Sequence, residues 1–399
     1  MNHSRKAPFT RSPLAFSHAP IHVLASTLQD FLHFPDPYPL YAVMAALVAN
    51  IAAGRPVWLL LVGPPSCGKT ELLSSLLGLP NVIPGGSITG PGALLSGSRK
   101  RERTASSTGG LLREIGLRGA LVIKEFTSIL SLPGDTLRQI LAAFREVYDG
   151  QYTRSVGTDG GSDLHWAGKA AILTGSTEAI DHHHQLVADM GERFVFYRYE
   201  SSDGWSEAYK ALSVDDPEQL SPILQAHVSA FFNDLDLSWE DPPVLPELDP
   251  RDRQRIIAFS QFAARGRSAV IRDDYSHEVI QASSGEYPVR LALALSQLLR
   301  ALRFIGVDDA DSWRIVRKLA FDSLPGPRRL TLLALLSGQR HTPAIAAQVR
   351  VSQSTVRRAL EELSIHSLVT KQAEATWEVS DWAKDRLSEA LNGTGIQRE

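Results

Sequence analysis

The chain of 399 residues carries 41 Lys and Arg against 44 Asp and Glu, a formal net charge of −3, with 43% apolar and 21% charged side chains. That length predicts two or three domains, and the near-balance of charge excludes a polyanion binder acting by bulk charge, so any nucleic-acid surface must be local. A single cysteine, Cys67, excludes an intramolecular disulfide framework, and the longest apolar stretches, 40–53 and 291–302, are too short or too interrupted to span a bilayer; a cytoplasmic protein without membrane contact is expected.

Residues 1–20 are rich in His, Ser and Pro and predict a flexible tail. Residues 40–53 predict a helix ending at Gly54, with Gly54-Arg55-Pro56 as the turn into an apolar run at 57–62. Next stands Gly63-Pro64-Pro65-Ser66-Cys67-Gly68-Lys69-Thr70, a full match to G-x-x-x-x-G-K-[ST]. In such a loop the glycines let successive backbone N–H groups point inward around phosphates. The lysine places its charge on the β and γ phosphates, and the threonine hydroxyl ligates Mg²⁺. All eight residues are therefore expected to bind nucleotide, with ATP and Mg²⁺ as cofactors. Glu71 opens a helix over 71–77, whose N-terminus favours an anion and which Gly78 ends.

The segment 98–110 contains Arg99, Lys100, Arg101 and Arg103 among small residues. It is either a solvated charged loop or one that grips nucleic-acid phosphates electrostatically. Residues 119–126 (GALVIKEF) predict a strand ending in Lys124-Glu125. Nucleotide hydrolases need an acid at such a strand end, to orient Mg²⁺ or polarise water, and Glu125 is the carboxylate placed for either role. Residues 134–149 predict a helix with Leu137, Ile140, Leu141, Phe144 and Val147 on one face. Residues 150–169 alternate around glycines and predict a hairpin. Residues 170–177 (AAILTGST) predict a third buried strand, where Thr174 or Ser176 senses the γ-phosphate or holds water. His182-His183-His184 is a solvated stretch, because adjacent histidines diverge and no partner has ligand spacing. Residues 191–198 place Arg193 at the start of another apolar strand.

From Ser201 the character turns helical. Residues 209–234, 253–264, 289–304 and 311–320 predict helices, with an acidic, Pro-rich loop at 238–252 and a short hairpin at 270–280. Together they suggest a helical lid with an insertion. Residues 330–336 predict a helix, followed by one over 344–349 with Thr342 as its N-cap and Pro343 at its first position. A further helix starts near Ser352, and strands at 368–371 and 376–379 follow. Three helices and a hairpin make the winged helix-turn-helix pattern, in which the helix after Ser352 enters the major groove of DNA. Ser352, Gln353, Thr355, Arg357 and Arg358 are its polar and basic residues, while Val356, Leu360 and Leu363 form its buried face.

With these residues in place, the chain resembles AAA+ P-loop ATPases over 40–379, specifically the MCM-like helicase clade and its bacterial and phage-borne members that end in a winged helix. The phosphate loop matches Walker A. GALVIKEF stands at Walker B, the hairpin at the pre-sensor-1 position, AAILTGST at sensor 1 and GERFVFYR at the segment carrying the arginine finger. Glu286-Tyr287-Pro288-Val289-Arg290-Leu291 resembles the start of the sensor-2 helix. The resemblance implies an α/β fold: a parallel-sheet ATPase core over 21–200, a helical lid over 201–324 and a winged helix over 325–399. It further implies that Lys69 and Glu125 are catalytic, with Thr70 and Glu125 at the metal. Arg193 would reach a neighbour's γ-phosphate, and Arg290 its own subunit's nucleotide. A homo-oligomer is implied, with a hexamer among the forms that fit.

One departure bears on mechanism. Walker B usually ends in Asp-Glu, whereas Lys124 precedes Glu125 here. Either the metal-orienting acid or the catalytic glutamate is then displaced, which favours slow turnover. The hairpin also lacks a lysine at its tip, leaving Arg154 as its nearest positive charge. Three functions compete, in this order: an ATP-driven, helicase-like remodeller or translocase on DNA; an ATP-switched DNA-binding regulator or helicase loader; and an ATPase acting on a protein partner.

Overall fold

The computed structural model describes residues 21–97, 109–157, 162–183, 193–200, 204–213, 217–273, 278–282, 285–373 and 375–391. The proposed tail and the basic residues Arg99, Lys100, Arg101 and Arg103 lie outside them, as does His184. Among the described residues seven strands precede residue 200: β1 (Trp58–Val62), β2 (Val82–Pro84), β3 (Arg118–Ile123), β4 (Gln151–Val156), β5 (Ser162–Ala167), β6 (Lys169–Ser176) and β7 (Phe194–Arg198). β1 is apolar and buried at every position. A strand reaches that state only with partners on both edges and helices on both faces.

Five of the strands form one sheet in the order β2-β3-β6-β1-β7, parallel throughout. Side chains alternate across it. Leu59 and Leu61 enter a core shared with the Tyr38–Ile51 helix and the helices after residue 217. Trp58, Leu60 and Val62 enter a second core against the Gly134–Tyr148 helix. Trp58 is fully buried, edge-on to Phe144 and Tyr148, and its indole N–H donates to the Ala170 carbonyl (2.9 Å). β4 and β5 make the expected antiparallel hairpin outside the main sheet.

Two polar devices fix where β1 begins. Asn50, fully buried, donates to Ala46 O and Val57 O (both 2.7 Å) and accepts from Val57 N (2.9 Å). It locks the end of the Tyr38 helix to the residue before β1. Lys169, at the start of β6, donates to Ala49 O (3.1 Å) and Ala52 O (2.8 Å). Arg118, at the start of β3, donates to Ala52 O as well (3.1 Å). Two cations thus cap one helix C-terminus, where unpaired carbonyls favour positive charge.

Element identities agree with the expectations, while several boundaries move. The helix after the phosphate loop runs Lys69–Ser74 and tightens to a 3₁₀ turn over Ser75–Gly78. The stretch expected as one helix over 209–234 is two, Trp205–Leu212 and Pro217–Asp234. Pro217 disfavours helical backbone in the residue before it. Val289–Phe304 is as expected, and the 270–280 hairpin is Val270–Arg272 with Val279–Ala282.

The C-terminal unit contains helices Gly326–Leu336, Thr342–Val349 and Gln353–Ile365, then the antiparallel strands Val369–Ala373 and Thr376–Val379. The middle helix is capped one residue earlier than expected. His341 is the N-cap and Thr342 is already helical, so Thr342 gives no side-chain cap. Its hydroxyl turns to the Ala375 carbonyl instead (3.4 Å). A final helix, Asp381–Leu391, was not anticipated. It buries Ala383, Leu387 and Ala390 and packs on the Pro250–Arg267 helix. There Arg265 lies over the Trp382 ring (3.8 Å) and Arg255 Nε donates to Ala390 O (3.1 Å).

Burial, with Arg118 beside it, lowers the Lys169 pKa to about 7. The unfolded lysine holds its proton up to about 10.4. Between these values the unfolded chain binds more protons, so this residue's contribution to stability rises with pH. Chemical denaturation of wild type from pH 6.5 to 9.5 is expected to show that rise, and Lys169→Met to flatten it; equal slopes in the two proteins would refute the assignment.

Candidate functional site

β1 delivers the phosphate loop at its C-terminal end, between the ends of β6 and β7. Gly63 N donates to Ser176 O (3.2 Å), and Tyr199 N to Val62 O (2.7 Å). Ser66 (φ 63°) and Gly68 (φ 82°) turn the backbone through the left-handed region. Residues alternating in this way point their N–H groups to one side and form an anion-sized concavity. A Cβ at Gly68 would meet nothing within 4 Å, so the glycine serves backbone conformation rather than space.

Lys69 is 6% exposed and curls over this loop. Its Nζ donates to Gly63 O (3.0 Å) and Pro64 O (2.6 Å) and lies 3.4 Å from Cys67 Sγ. The ammonium therefore already stands inside the concavity, held by carbonyls that a phosphate oxygen would replace. Burial raises the Cys67 thiol pKa, against the pull of Lys69. Below the loop the Tyr199 hydroxyl is buried, and burial with the Cys67 and Glu71 charges nearby holds its pKa well above the ordinary value. Thr70 is exposed at the loop's end and Glu71 is half-buried. Beside them a cavity of about 260 Å³ is lined by Phe31, Leu32, Ala211 and Leu220 together with Ser66 and Gly68. Glu71, Glu207 and Lys210 line it as well, so its walls are mixed.

Lys124 and Glu125 follow β3 and are both exposed. Phe126 N donates to Gly175 O (2.7 Å), which pins this corner to β6. Glu125 Oε1 accepts from Thr127 N (3.1 Å) and from the Thr127 hydroxyl. Thr127 Oγ1 also lies 3.0 Å from Ser176 Oγ. The Ser176 hydroxyl also stands 3.1 Å from Thr177 O, so its one proton has two acceptors within reach, Thr127 Oγ1 and that carbonyl. Phosphate loop, Ser176, Thr127 and Glu125 are thus contiguous. Of Thr174 and Ser176, the latter is the one that joins this hydrogen-bonded set. Thr174 is fully buried and donates to Ile123 O (2.7 Å), stitching β6 to β3. Among the described residues no cluster of three His, Cys, Asp or Glu would hold a metal by itself. A Mg²⁺ held by Thr70 and phosphate oxygens, with Glu125 nearby, fits how that ion binds.

Arg193 and Arg290 lie elsewhere. Parallel pairing sets Phe194 opposite Trp58 and Arg198 opposite Val62. Arg193 is therefore level with Val57, about 20 Å along the strand from the start of the loop at Gly63. It is 6% exposed, paired with Asp149 (3.1 Å) and 5.3 Å from the Tyr148 ring centre. Burial lowers its pKa, Asp149 opposes this, and Arg290 adds to the lowering. Arg290 is half-buried and close enough for its charge to bear on Arg193 and Tyr148. The structure places both arginines at one pole and the loop at the other.

The arginine that does approach the loop end of β7 is Arg198, which sequence reasoning passed over. Its guanidinium makes a bidentate pair with Asp181 (2.7 and 2.8 Å) and donates to Asp322 O (2.9 Å) and Leu324 O (3.1 Å). Asp181 also accepts from Gly326 N (2.9 Å), the first residue of the C-terminal unit's first helix. A Cβ at Gly326 would fall 2.4 Å from Asp181 Oδ2, so only glycine fits. The available signal was a charge, Arg198, closing the apolar run Phe194–Tyr197 in a strand buried at every position.

On the C-terminal unit, Ser352 caps the Gln353–Ile365 helix, accepting from Thr355 N (3.1 Å). Its hydroxyl also meets those of Ser354 and Thr355 (both 2.8 Å). Gln353, Arg357 and Arg358 are exposed, and Val356, Leu360 and Leu363 are buried as expected. The far half of this helix is anchored by Glu362, paired with Arg328 (2.8 Å) and Arg272 (3.0 Å). In the hairpin, Arg154 is half-buried and donates to Leu95 O (2.7 Å), so it is committed to its own chain.

No protein-family model and no curated protein matches this sequence. A solved structure, the A form apo structure of the NrS-1 C-terminal region, aligns with 93% of this chain and 79% of that chain. Identity is 9% and the TM-score 0.28.

Asp181 ties three elements through one buried guanidinium. Asp181→Ala leaves that charge under-compensated and is expected to destabilise the chain by about 3 kcal/mol in denaturant titration. A loss below about 1 kcal/mol would show the pair to be dispensable.

Proposed function

We propose that this chain is an oligomeric P-loop ATPase of the AAA+ type that uses ATP binding and hydrolysis to act on DNA. The observation that carries the reading is the juxtaposition at the C-terminal edge of the parallel sheet. A phosphate loop with its lysine in the concavity stands on β1, Ser176 on the adjacent β6, and Glu125 after β3. Bound MgATP would supply the phosphoanhydride and its counter-charge. Lys69 would leave Gly63 O and Pro64 O for phosphate oxygens. Ser176 would orient a water, and Glu125, released from Thr127, would take its proton. Arg193 and Arg290 lie at the far end of the sheet from the loop of their own chain. Arg193 is buried and paired with Asp149, so reaching a neighbour's nucleotide would require that pair to open.

The three helices and hairpin of residues 326–379 support a winged helix. Its helix after Ser352 offers Gln353, Arg357 and Arg358 at the N-terminal half, while its C-terminal half stays anchored through Glu362. A slower, switch-like variant of the same reading draws on a specific observation. Both the Thr127 N–H and its hydroxyl hold Glu125, and Lys124 stands where an acid would help hold the metal.

Steady-state ATP hydrolysis, with and without single-stranded and duplex DNA, tests the reading. Wild type is expected to turn over ATP faster with DNA. Lys69→Ala and Glu125→Gln are expected to fall at least tenfold, with Glu125→Gln still binding nucleotide. DNA-independent turnover, or turnover surviving Lys69→Ala, would refute it. Arg357→Ala with Arg358→Ala is expected to weaken duplex binding and lower the slope of log K against log salt by about 2. An unchanged slope would move DNA contact away from this helix.

A further inference from the structure

Lys124 and Glu125 turn the corner at the end of β3, and the backbone of that corner is clamped on both sides. The Thr174 hydroxyl donates to Ile123 O (2.7 Å), and Phe126 N donates to Gly175 O (2.7 Å). Gly175 is where the corner meets the helix that follows the phosphate loop. A Cβ built there would lie 3.0 Å from Lys124 O and 3.8 Å from Lys69 Cβ, with Leu73 Cδ1 at 3.4 Å. The missing side chain lets the backbone of Lys124 and the stem of Lys69 come against one and the same residue. The flexible four-carbon stem of a lysine can bridge that interval.

Neither lysine forms an ion pair among the described residues. Lys69 Nζ rests on the Gly63 and Pro64 carbonyls. Lys124 is exposed, and its neighbour Glu125 is engaged by the N–H and hydroxyl of Thr127 rather than by the lysine. The acid next to Lys124 is thus held on another partner, and the ammonium keeps its three donors for a ligand. Two like charges on one site raise each other's energy, and an anion bound between them lowers it. A divalent cation brought to the same corner meets the opposite effect.

We propose that Lys124 is a second phosphate-binding lysine, whose charge lets this chain hold a nucleoside triphosphate without Mg²⁺. The inference rests on the reading that the phosphate loop binds ATP, and it deepens that reading by separating binding from turnover. An ammonium supplies counter-charge and charge-assisted hydrogen bonds to phosphate oxygens. It does not supply the octahedral set of oxygen positions by which the metal orders a triphosphate. Binding therefore tolerates loss of the metal, while hydrolysis through Glu125 still calls for it. The lysine in place of an acid then has a use of its own: the site stays loaded with nucleotide whether or not it can turn over.

Equilibrium titration of a fluorescent ATP analogue, in Mg²⁺ and in excess EDTA, tests this on wild type, Lys124→Ala, Lys124→Arg, Lys124→Asp and Lys69→Ala. Circular dichroism and thermal melts check that each variant folds. Wild type is expected to lose less than about fivefold in affinity when the metal is chelated. Lys124→Ala is expected to match wild type in Mg²⁺ and to bind about tenfold more weakly than wild type in EDTA, the loss of one charge-assisted bond. Lys124→Arg keeps the charge and is expected to keep metal-free binding, whereas Lys124→Asp is expected to bind in Mg²⁺ alone. A larger loss by wild type on chelation, or a Lys124→Ala protein that binds in EDTA as wild type does, would overturn the proposal and return Lys124 to an ordinary solvated lysine. Binding that needs Mg²⁺ in wild type and vanishes in Lys69→Ala sinks the role of Lys124 and leaves the ATPase reading standing. Absence of binding by wild type in both buffers sinks the two together.

Discussion

The ion pair between Arg198 and Asp181 is the constraint on which the layout depends. Neither partner keeps much contact with water, with side-chain exposures of 7% and 15%. A buried pair seldom adds much net stability over an apolar substitute, because desolvation offsets most of the attraction. Its value here is positional. The guanidinium is satisfied only when the end of β7, the 3₁₀ turn Glu178–His183 and the Phe321–Gly326 backbone are all in place. Asp322, fully buried, closes the network from the other side. It accepts from Arg198 N and pairs with Lys318 (3.0 Å) and Arg329 (2.6 Å). The floor beneath the phosphate loop and the base of the C-terminal unit are thereby one polar assembly.

A second set of charges performs the same task further along the chain. Arg328, 3% exposed, pairs with Glu362 and donates to Gly266 O (3.0 Å) and Ser268 O (2.7 Å). His366 beside it has its pKa lowered to about 4 by burial and then by the Arg328 charge, so it is neutral at physiological pH. The C-terminal unit and the helices before it are joined by directional bonds to named carbonyls, not by a greasy face alone. That fixes the orientation in which Gln353, Arg357 and Arg358 are presented.

What sequence reasoning captured were the features with local signatures. The phosphate loop, the apolar strands at 57–62, 119–126 and 170–177, and the amphipathic 134–149 helix each carry their pattern within a dozen residues. The helix start near Ser352 was legible for the same reason; that Ser352 caps it, by accepting from Thr355 N three residues on, was not read. The features missed are those whose partners are remote in the chain. Lys169 is defined by carbonyls at Ala49 and Ala52, and Arg198 by Asp322 and Leu324. Thr127 looks like an ordinary hydroxyl until the β3 corner folds it onto Ser176. Periodicity could not tell Thr174 from Ser176, because only the folded register shows that Thr174 bonds the β3 backbone while Ser176 reaches Thr127.

The sheet order carries a consequence for how the protein comes to exist. β1 is translated early, yet its neighbours are β6 and β7, with Leu59 paired to Leu173 and Trp58 to Phe194. On the order of 100 residues must leave the ribosome, about 10 s of synthesis, before the strand that ends in the phosphate loop has either edge covered. In that interval its one designed partner is the Tyr38–Ile51 helix, held to it by Asn50. The Asn50 bonds to Val57 span only seven residues, whereas those that set the floor of the loop wait for Ser176 and Tyr199.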